Sequence, residues 1–278
     1  MNKPIKVIIS DLDGTLLNAE HTISEYSKKV VRQLAEHDIR FIIATGRHLR
    51  DASKIKEKLG VNAYLITANG ATVADEAGNL IYQASIPSEV VKDILSIEVE
   101  EGVFKNLYQG DHWLMEENDT VFDEYYQEGD FAFTLCRFEE RYEHPTNKIF
   151  FTTRDHRKLE NVAKIISEKY GEIVDLTFSM PECLEIMPKG VNKGAAIIET
   201  LQQLGISKEY VIAFGDGMND VEMLQVVGKG YLMGNATPKL VESLPKHEMI
   251  GKNSDDGVAR HIEKLLGHSV KTPHKAVV

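Results

Sequence analysis

Short runs of apolar and small residues punctuate the first seventy residues: "VIIS" at 7–10, "FIIA" at 41–44 and "YLIT" at 64–67. Between the first two, apolar residues recur at helical spacing, with Val30, Val31 and Leu34 on one face. A run of four apolar residues is too short for a helix and leaves no polar face for water, so each run reads as a strand buried on both sides. Such strands alternating with amphipathic helices predict an α/β fold, a parallel sheet flanked by helices. Ligands of these sheets bind just beyond the carboxyl ends of the strands.

The rhythm then breaks. Gly78 and Asn79 sit between short apolar runs as a hairpin turn, and Pro87 and Ser88 open a new helix. Up to about Pro188 the pattern is α+β: strand-like pieces "VFKNLY", "FAFTLC" and "KIFFTT", and one amphipathic helix, "HRKLENVAKIISEKYG". Most of the aromatic residues lie here, among them Tyr108, Trp113, Phe131 and Phe133. From Asn192 the first rhythm returns. A helix with Ile197, Ile198, Leu201 and Leu204 inward ends at Gly205; strand "VIAF", helix "DVEMLQVV", strand "GYLM" and a last helix before Leu266 follow. The expected organisation is a core built from residues 1–84 and 189–268, a separate domain inserted at 85–188, and a flexible tail at 269–278, which lacks a periodic apolar face.

Composition narrows the function. With 42% hydrophobic residues, 278 residues can fill one or two cores. A formal charge of −11, with no basic stretch to offset it, opposes binding to nucleic acid. Cys136 and Cys183 lie far apart, outside any zinc or CxxC spacing, and are expected to be reduced, buried thiols. The opening "MNKPIKVII" has no apolar stretch of signal-peptide length, and nothing approaches the roughly 20 apolar residues of a membrane span. The expected location is the cytoplasm, with no membrane partner.

Chemistry-bearing residues follow the strands. After "VIIS" come Asp11 and Asp13, with Leu12 turned back to the core and Gly14 letting the chain bend. Two carboxylates facing one pocket cannot both stay ionised cheaply unless a cation joins them or one takes a proton. An EF-hand is excluded, since its glycine and closing glutamate positions would fall on Leu16 and Thr22. After "FIIA", Thr45 and Gly46 offer a hydroxyl and an unshielded N–H to the same anion. In "GVNKGAAII", Asn192 reads as an N-cap and Lys193 stands in the first helical turn, where the dipole disfavours a cation unless an anion is near. After "VIAF", the turn "GDGMND" presents Asp216, Asn219 and Asp220, an oxygen-rich set suited to a hard cation, Mg²⁺ rather than zinc.

Together, "DLDGT", "TGR", the Lys193 helix and "GDGMND" resemble the four signature motifs of the haloacid dehalogenase superfamily of phosphohydrolases. The resemblance covers the whole chain. It implies a Rossmann-like core, and the long α+β insertion resembles the large C2-type cap of the Cof-type branch. The stretches "ATGRH", "AYLITANG", "CLEIMPKGVNKGAA" and "GNATPKLVESLPKHEMIG" further resemble the phosphatases of that branch that act on hydroxymethylpyrimidine pyrophosphate, a thiamine precursor. Carried over, the resemblance makes Asp11 the nucleophile of an aspartyl-phosphate and Asp13 the general acid and base. It implies Mg²⁺ held by Asp11, the backbone carbonyl of Asp13 and Asp216, with Asp220 as a further ligand or an orienting group. Thr45, Gly46, Lys193, Asn219 and the backbone around Leu12 would hold phosphoryl oxygens. Arg47 either reaches the phosphate or forms a buried ion pair, and Asn69 either lines the pocket floor or makes a turn. In the cap, Tyr108, Trp113, His112 and Met180 either line the pocket or sit in the fold's own structure.

The expected substrate is a small phosphorylated metabolite, such as hydroxymethylpyrimidine pyrophosphate or pyridoxal phosphate, acted on by a monomer or small homo-oligomer. A sugar phosphatase or phosphomutase of the same superfamily is the alternative. A receiver module, which also phosphorylates an aspartate beside Mg²⁺, places its phosphoacceptor on a later strand and lacks such an insertion. A P-type pump requires membrane helices that the sequence does not show.

Overall fold

In the computed structural model, which describes residues 4–118 and 131–269, the apolar runs become strands of one sheet. The first part of the chain forms β1 (Val7–Ser10), α1 (Glu25–Gln33), β2 (Arg40–Ala44), α2 (Leu49–Leu59), β3 (Ala63–Thr67), β4 (Thr72–Ala74) and β5 (Leu80–Gln83). The middle forms α3 (Ser88–Leu95), β6 (Phe104–Gln109), β7 (His112–Met115), β8 (Thr134–Leu135), β9 (Lys148–Thr152), α4 (His156–Tyr170), β10 (Val174–Met180) and β11 (Cys183–Pro188). The last part forms α5 (Lys193–Gln203), β12 (Val211–Gly215), α6 (Val221–Val226), β13 (Lys229–Leu232), α7 (Pro238–Ser243), β14 (Glu248–Met249) and α8 (Gly257–Ser269).

Two sheets result. The first runs β14-β13-β12-β1-β2-β3-β4-β5, parallel from β14 to β3, with the β4–β5 hairpin antiparallel at its edge. Alternation within β1 divides its cover. Ile8 packs with Val30, Val31, Phe41 and Ile262 on one face, and Val7 and Ile9 pack with Ile197, Leu201 and Met223 on the other. The chain leaves β1 toward β2 and β3, and returns from the inserted strands to β12 on β1's other side. The crevice between β1 and β12 is therefore the point where strand order reverses, the place where such sheets hold ligands.

The second sheet, β10-β11-β9-β6-β7-β8, is antiparallel apart from the short β7–β8 pair. One face is buried under α3 and α4 through Leu107, Phe151, Ile186, Val91 and Leu159. The other carries Tyr108, Trp113, Phe150 and Cys183 and packs on Ala68 and Ala71 of the first unit. A sheet with helices on one side leaves its opposite apolar face to be covered, and the first unit covers it.

The sequence pattern did not disclose α7 and β14, whose six and two residues are too short for a period to register. "FAFTLC" contracts to a two-residue strand. Cys183 is buried, while Cys136 is only half-buried, and neither is in a disulfide. Except for Ser269 at the end of α8, the tail at 269–278 lies outside the described residues. Among the described residues, no helix is long and apolar enough to cross a membrane.

Candidate active site

Parallel pairing in register brings three strand ends level, with Ser10 opposite Ile43 on one side and Phe214 on the other. The residues just beyond are Asp11, Thr45 and Asp216. Asp11 is held by its N–H donating to Phe214 O (3.1 Å), and its carboxylate lies 3.0 Å from Lys193 Nζ. Lys193 is wholly buried and also donates to Asp220 Oδ1 at 2.6 Å. It opens α5 behind the N-cap Asn192, whose side chain accepts from Ala195 N. Burial alone would lower the ammonium's pKa, yet Asp11 and Asp220 hold it above its ordinary range.

Asp220 anchors the turn after β12. Its Oδ2 accepts from the backbone N–H groups of Asp216 (2.9 Å) and Gly217 (3.0 Å), so both of its oxygens are engaged by the protein. Asp216 in turn accepts from Thr15 Oγ1 at 2.6 Å. Asp11, Asp216 and Asp220 each offer a carboxylate oxygen within 4.8 Å of the others. Burial first, then Asp220, with smaller contributions from Asp216 and Asp13, outweigh the lowering pull of Lys193 and raise Asp11 well above the usual carboxylate range. Burial and Asp220 push Asp216 up to about 7. One lysine cannot neutralise three crowded carboxylates, and an all-oxygen donor set of this charge fits a hard divalent cation such as Mg²⁺.

Asp13 meets different company. Arg47 grips it with two hydrogen bonds, Nε to Oδ2 at 2.7 Å and Nη2 to Oδ1 at 2.6 Å, and spends Nη1 on Asp51. His21 Nδ1 lies 3.2 Å from Asp13 Oδ1. Burial would raise Asp13, but the Arg47 charge and hydrogen bonds, helped by His21, hold it well below the usual range. The like-charge conflict expected between Asp11 and Asp13 is thus resolved at Asp13 by arginine, and the crowding falls on Asp11, Asp216 and Asp220 instead. Of the two readings of Arg47, the structure shows the ion pair.

Thr45 is buried, with its Oγ1 accepting from Arg47 N at 3.1 Å. Asn69, at φ +53°, turns the chain after β3 and also reaches the site, accepting from Asn219 Nδ2 at 3.1 Å through its Oδ1. Leu12 is wholly buried and packs in the core, as its position between two polar residues predicts. A cavity of about 270 Å³ lies between the two units. Asp11, Asp13, Thr45, Gly46, Asp216 and Asn219 line one side, and Tyr108, Lys148, Phe150, Met180, Cys183 and Glu185 line the other. Lys193 and Asp220 lie behind this surface, with Lys193 bridging Asp11 and Asp220. Tyr108 and Met180 line the cavity. Trp113 does not, being buried with its Nε1 donating to Asn106, and His112 is exposed away from it.

Sequence reasoning missed Thr15, His21, Lys148 and Glu185. Thr15 and His21 belong to the turn after β1, where no period marks them. Glu185 did leave a signal: a charge between Leu184 and Ile186 in an otherwise apolar strand needs a buried partner.

Gly14 ties the turn to the opposite strand end. Its φ is +70°, and a Cβ there would overlap the Asp216 carboxylate. Gly14→Ala is expected to destabilise the protein by about 1–2 kcal/mol from conformation alone and to lower turnover by displacing Asp216. Denaturant midpoint and turnover of the folded variant check both effects.

The fold and the site define a capped α/β phosphohydrolase. The chain belongs to the haloacid dehalogenase-like hydrolase family, which matches residues 8–262, and it is a phosphatase of that family. An HMP-PP phosphatase of Yersinia pestis (strain Pestoides F) is 35% identical over 264 residues, 95% of each chain. A haloacid dehalogenase-like hydrolase from B. subtilis superimposes with a TM-score of 0.84 at 28% identity, over 94% of this chain and all (100%) of its own. A Thermotoga maritima protein gives 0.78 at 28% identity, over 94% of this chain and 97% of its own.

Proposed function

We propose that this phosphatase is Mg²⁺-dependent, hydrolyses small phosphorylated metabolites through an aspartyl-phosphate on Asp11, and takes flat heteroaromatic substrates, hydroxymethylpyrimidine pyrophosphate and pyridoxal phosphate among them. The observation that carries this reading is the buried Asp11–Lys193 contact facing a cavity roofed by the second unit. A carboxylate there can attack phosphorus, and the roof limits substrates to small ones.

In the first displacement an Asp11 oxygen bonds to phosphorus, the bond to the leaving oxygen breaks, and Asp13 supplies the proton that oxygen takes up. In the second, water attacks phosphorus, its proton passes to Asp13, and Asp11 and inorganic phosphate are released. Asp13 is held as a carboxylate by Arg47, so it is ready as the base; before acting as the acid it must gain a proton as that grip loosens. Thr45, the Gly46 backbone and Asn219 orient the phosphoryl oxygens, and Lys193, set behind Asp11, contributes positive charge to them, which is most of what phosphoryl transfer asks of a protein. Asp11, Asp216 and the Asp13 carbonyl would hold Mg²⁺, with Asp220 orienting them, because its oxygens are already engaged. When bound, the ion neutralises phosphoryl charge as a Lewis acid. Tyr108 and Phe150, whose rings meet edge to face at 65°, and the polarizable Met180 thioether line the roof, an aromatic surface that supports a heteroaromatic leaving group. The HMP-PP phosphatase relative supports it further.

Phosphate release from hydroxymethylpyrimidine pyrophosphate, pyridoxal phosphate and hexose phosphates tests the proposal, with kcat/KM as the measure of discrimination. Release is expected with Mg²⁺, to stop in excess chelator, and to be inhibited by Ca²⁺, whose longer bonds misplace Asp11. Full activity in chelator, with no metal bound, would refute the metal's role. Hexose phosphates preferred by more than about tenfold, or about 1.4 kcal/mol, would refute the heteroaromatic reading and leave the phosphatase chemistry standing.

A further inference from the structure

Two charged side chains of the cap lie in the roof of the cavity, and nothing in the chemistry above uses them. Lys148 begins β9 and Glu185 is central in β11; both are nearly wholly buried, with side-chain exposures of 3% and 4%. Lys148 Nζ donates to Glu185 Oε1 at 2.7 Å and, across the interface, to the Gly46 carbonyl at 2.7 Å. Its ammonium also lies 4.7 Å from the Tyr108 ring centre and 4.8 Å from that of Phe150. The other Glu185 oxygen accepts from Asn69 Nδ2.

Stability does not explain the pair. Two charges taken out of water recover little, and well-packed apolar residues would serve the fold as well or better. Nor does the pair add net charge to the cavity. What it does is grip two loops of the other unit. The Gly46 carbonyl and the Arg47 N–H belong to one rigid peptide plane and point opposite ways. With the carbonyl held by Lys148, that N–H is directed onto Thr45 Oγ1, which leaves the hydroxyl hydrogen of Thr45 to be donated. Glu185 fixes the amide of Asn69, and the Asn69 oxygen then accepts from Asn219. Each member of the pair thus orients one group on the cavity floor.

We propose that Lys148 and Glu185 are positioning residues that couple the seating of the cap to the assembly of the phosphoryl pocket, Lys148 through the Gly46–Arg47 peptide to Thr45 and Glu185 through Asn69 to Asn219. The inference rests on the reading of Thr45 and Asn219 as phosphoryl contacts. With the cap lifted, both floor groups lose their orienting bonds; with it seated, the pocket forms under a closed roof. Coupling of this kind acts on the phosphoryl group, whatever the leaving group is.

The test compares the wild-type protein with Lys148→Met, Glu185→Gln and Lys148→Arg. It measures kcat and KM for an aryl phosphate and for pyridoxal phosphate, the affinity for inorganic phosphate in the presence of Mg²⁺, and thermal stability. Lys148→Met and Glu185→Gln are expected to lower kcat about 10- to 100-fold, by the same factor for both substrates, and to weaken phosphate binding at least about fivefold. Lys148→Arg, which keeps a donor toward Gly46, is expected to recover part of the loss. If Lys148→Met does not fold because Glu185 is left unpaired, the double variant Lys148→Met/Glu185→Gln carries the same expectation. Loss confined to one substrate with phosphate affinity unchanged would make the pair a leaving-group contact and overturn the proposal. A fall in stability alone, with kcat and phosphate affinity intact, would overturn it too. Wild-type protein that binds no phosphate would instead bring down the site reading, and this inference with it.

Discussion

Replacing Asp11 by Asn is expected to abolish turnover, a loss of more than about 10⁴-fold, while making the metal-free protein more stable at neutral pH. The first effect follows from the proposed nucleophile role, since an amide of almost the same volume cannot displace the leaving group. The second follows from the crowding of Asp11, Asp216 and Asp220. Burial and these neighbours raise Asp11 well above its unfolded value, so at neutral pH the native state bears the cost of ionising it or of keeping its proton. Asparagine removes that cost and still accepts a hydrogen bond from Lys193. Phosphate release and a thermal melt in chelator check the pair of effects. Appreciable steady-state turnover would move the nucleophile elsewhere, and a lower melting temperature would mean that Lys193 needs the Asp11 charge more than Asp216 and Asp220 resist it.

The Asp13→Asn variant is expected to lose about 10² to 10⁴ in kcat, the usual contribution of one acid–base group, and its stability should move the other way. Arg47 holds Asp13 below its unfolded value, against the opposing effect of burial, so the ionised carboxylate stabilises the native state. That contribution is fully present above the unfolded carboxylate value of about 3.9 and is lost as the pH falls through the lower folded value. The variant should therefore melt below wild type at neutral pH, with the difference narrowing below about pH 4. The Asp13 side chain is one-third exposed, so solvent screening keeps the effect modest. Alkyl phosphates should suffer more than aryl phosphates, because an aryl oxide leaves without much help from a proton. Equal loss for both would assign protonation of the leaving group to another residue.

These opposite signs were not legible in "DLDGT", where the two aspartates look alike. What separates them is the ion pair with Arg47, 34 positions from Asp13, and the charge of Asp220, 209 positions from Asp11, neither of which a local pattern assigns to one aspartate rather than the other. The same limit hid Lys148 and Glu185. They stand on neighbouring antiparallel strands, so their pairing depends on a register that forms only when the second sheet does. Asn69, which the sequence leaves open between a turn and the pocket floor, does both, and Thr15, which no pattern marks, bonds to Asp216 only when β12 lies beside it. Tyr108 and Trp113 were equally plausible as pocket residues. Paired directly across β6 and β7, they divide by position in the sheet, Tyr108 reaching the cavity and Trp113 bonding to Asn106.

The sequence by itself determined the α/β alternation, the interruption by an α+β segment and the placing of acidic, hydroxyl and lysine groups at strand ends, because these are local properties. An apolar run of four must be buried, its period must be two, and a polar residue just beyond it must emerge at the sheet's edge. Tertiary structure decided how the charges are shared out: which carboxylate is neutralised by arginine, which three crowd together, and which cap side chains bond to the Gly46 and Asn69 loops. Those outcomes depend on distances of about 3 Å between residues far apart in the chain, where burial makes each charge's energy a property of its neighbours rather than of its own identity.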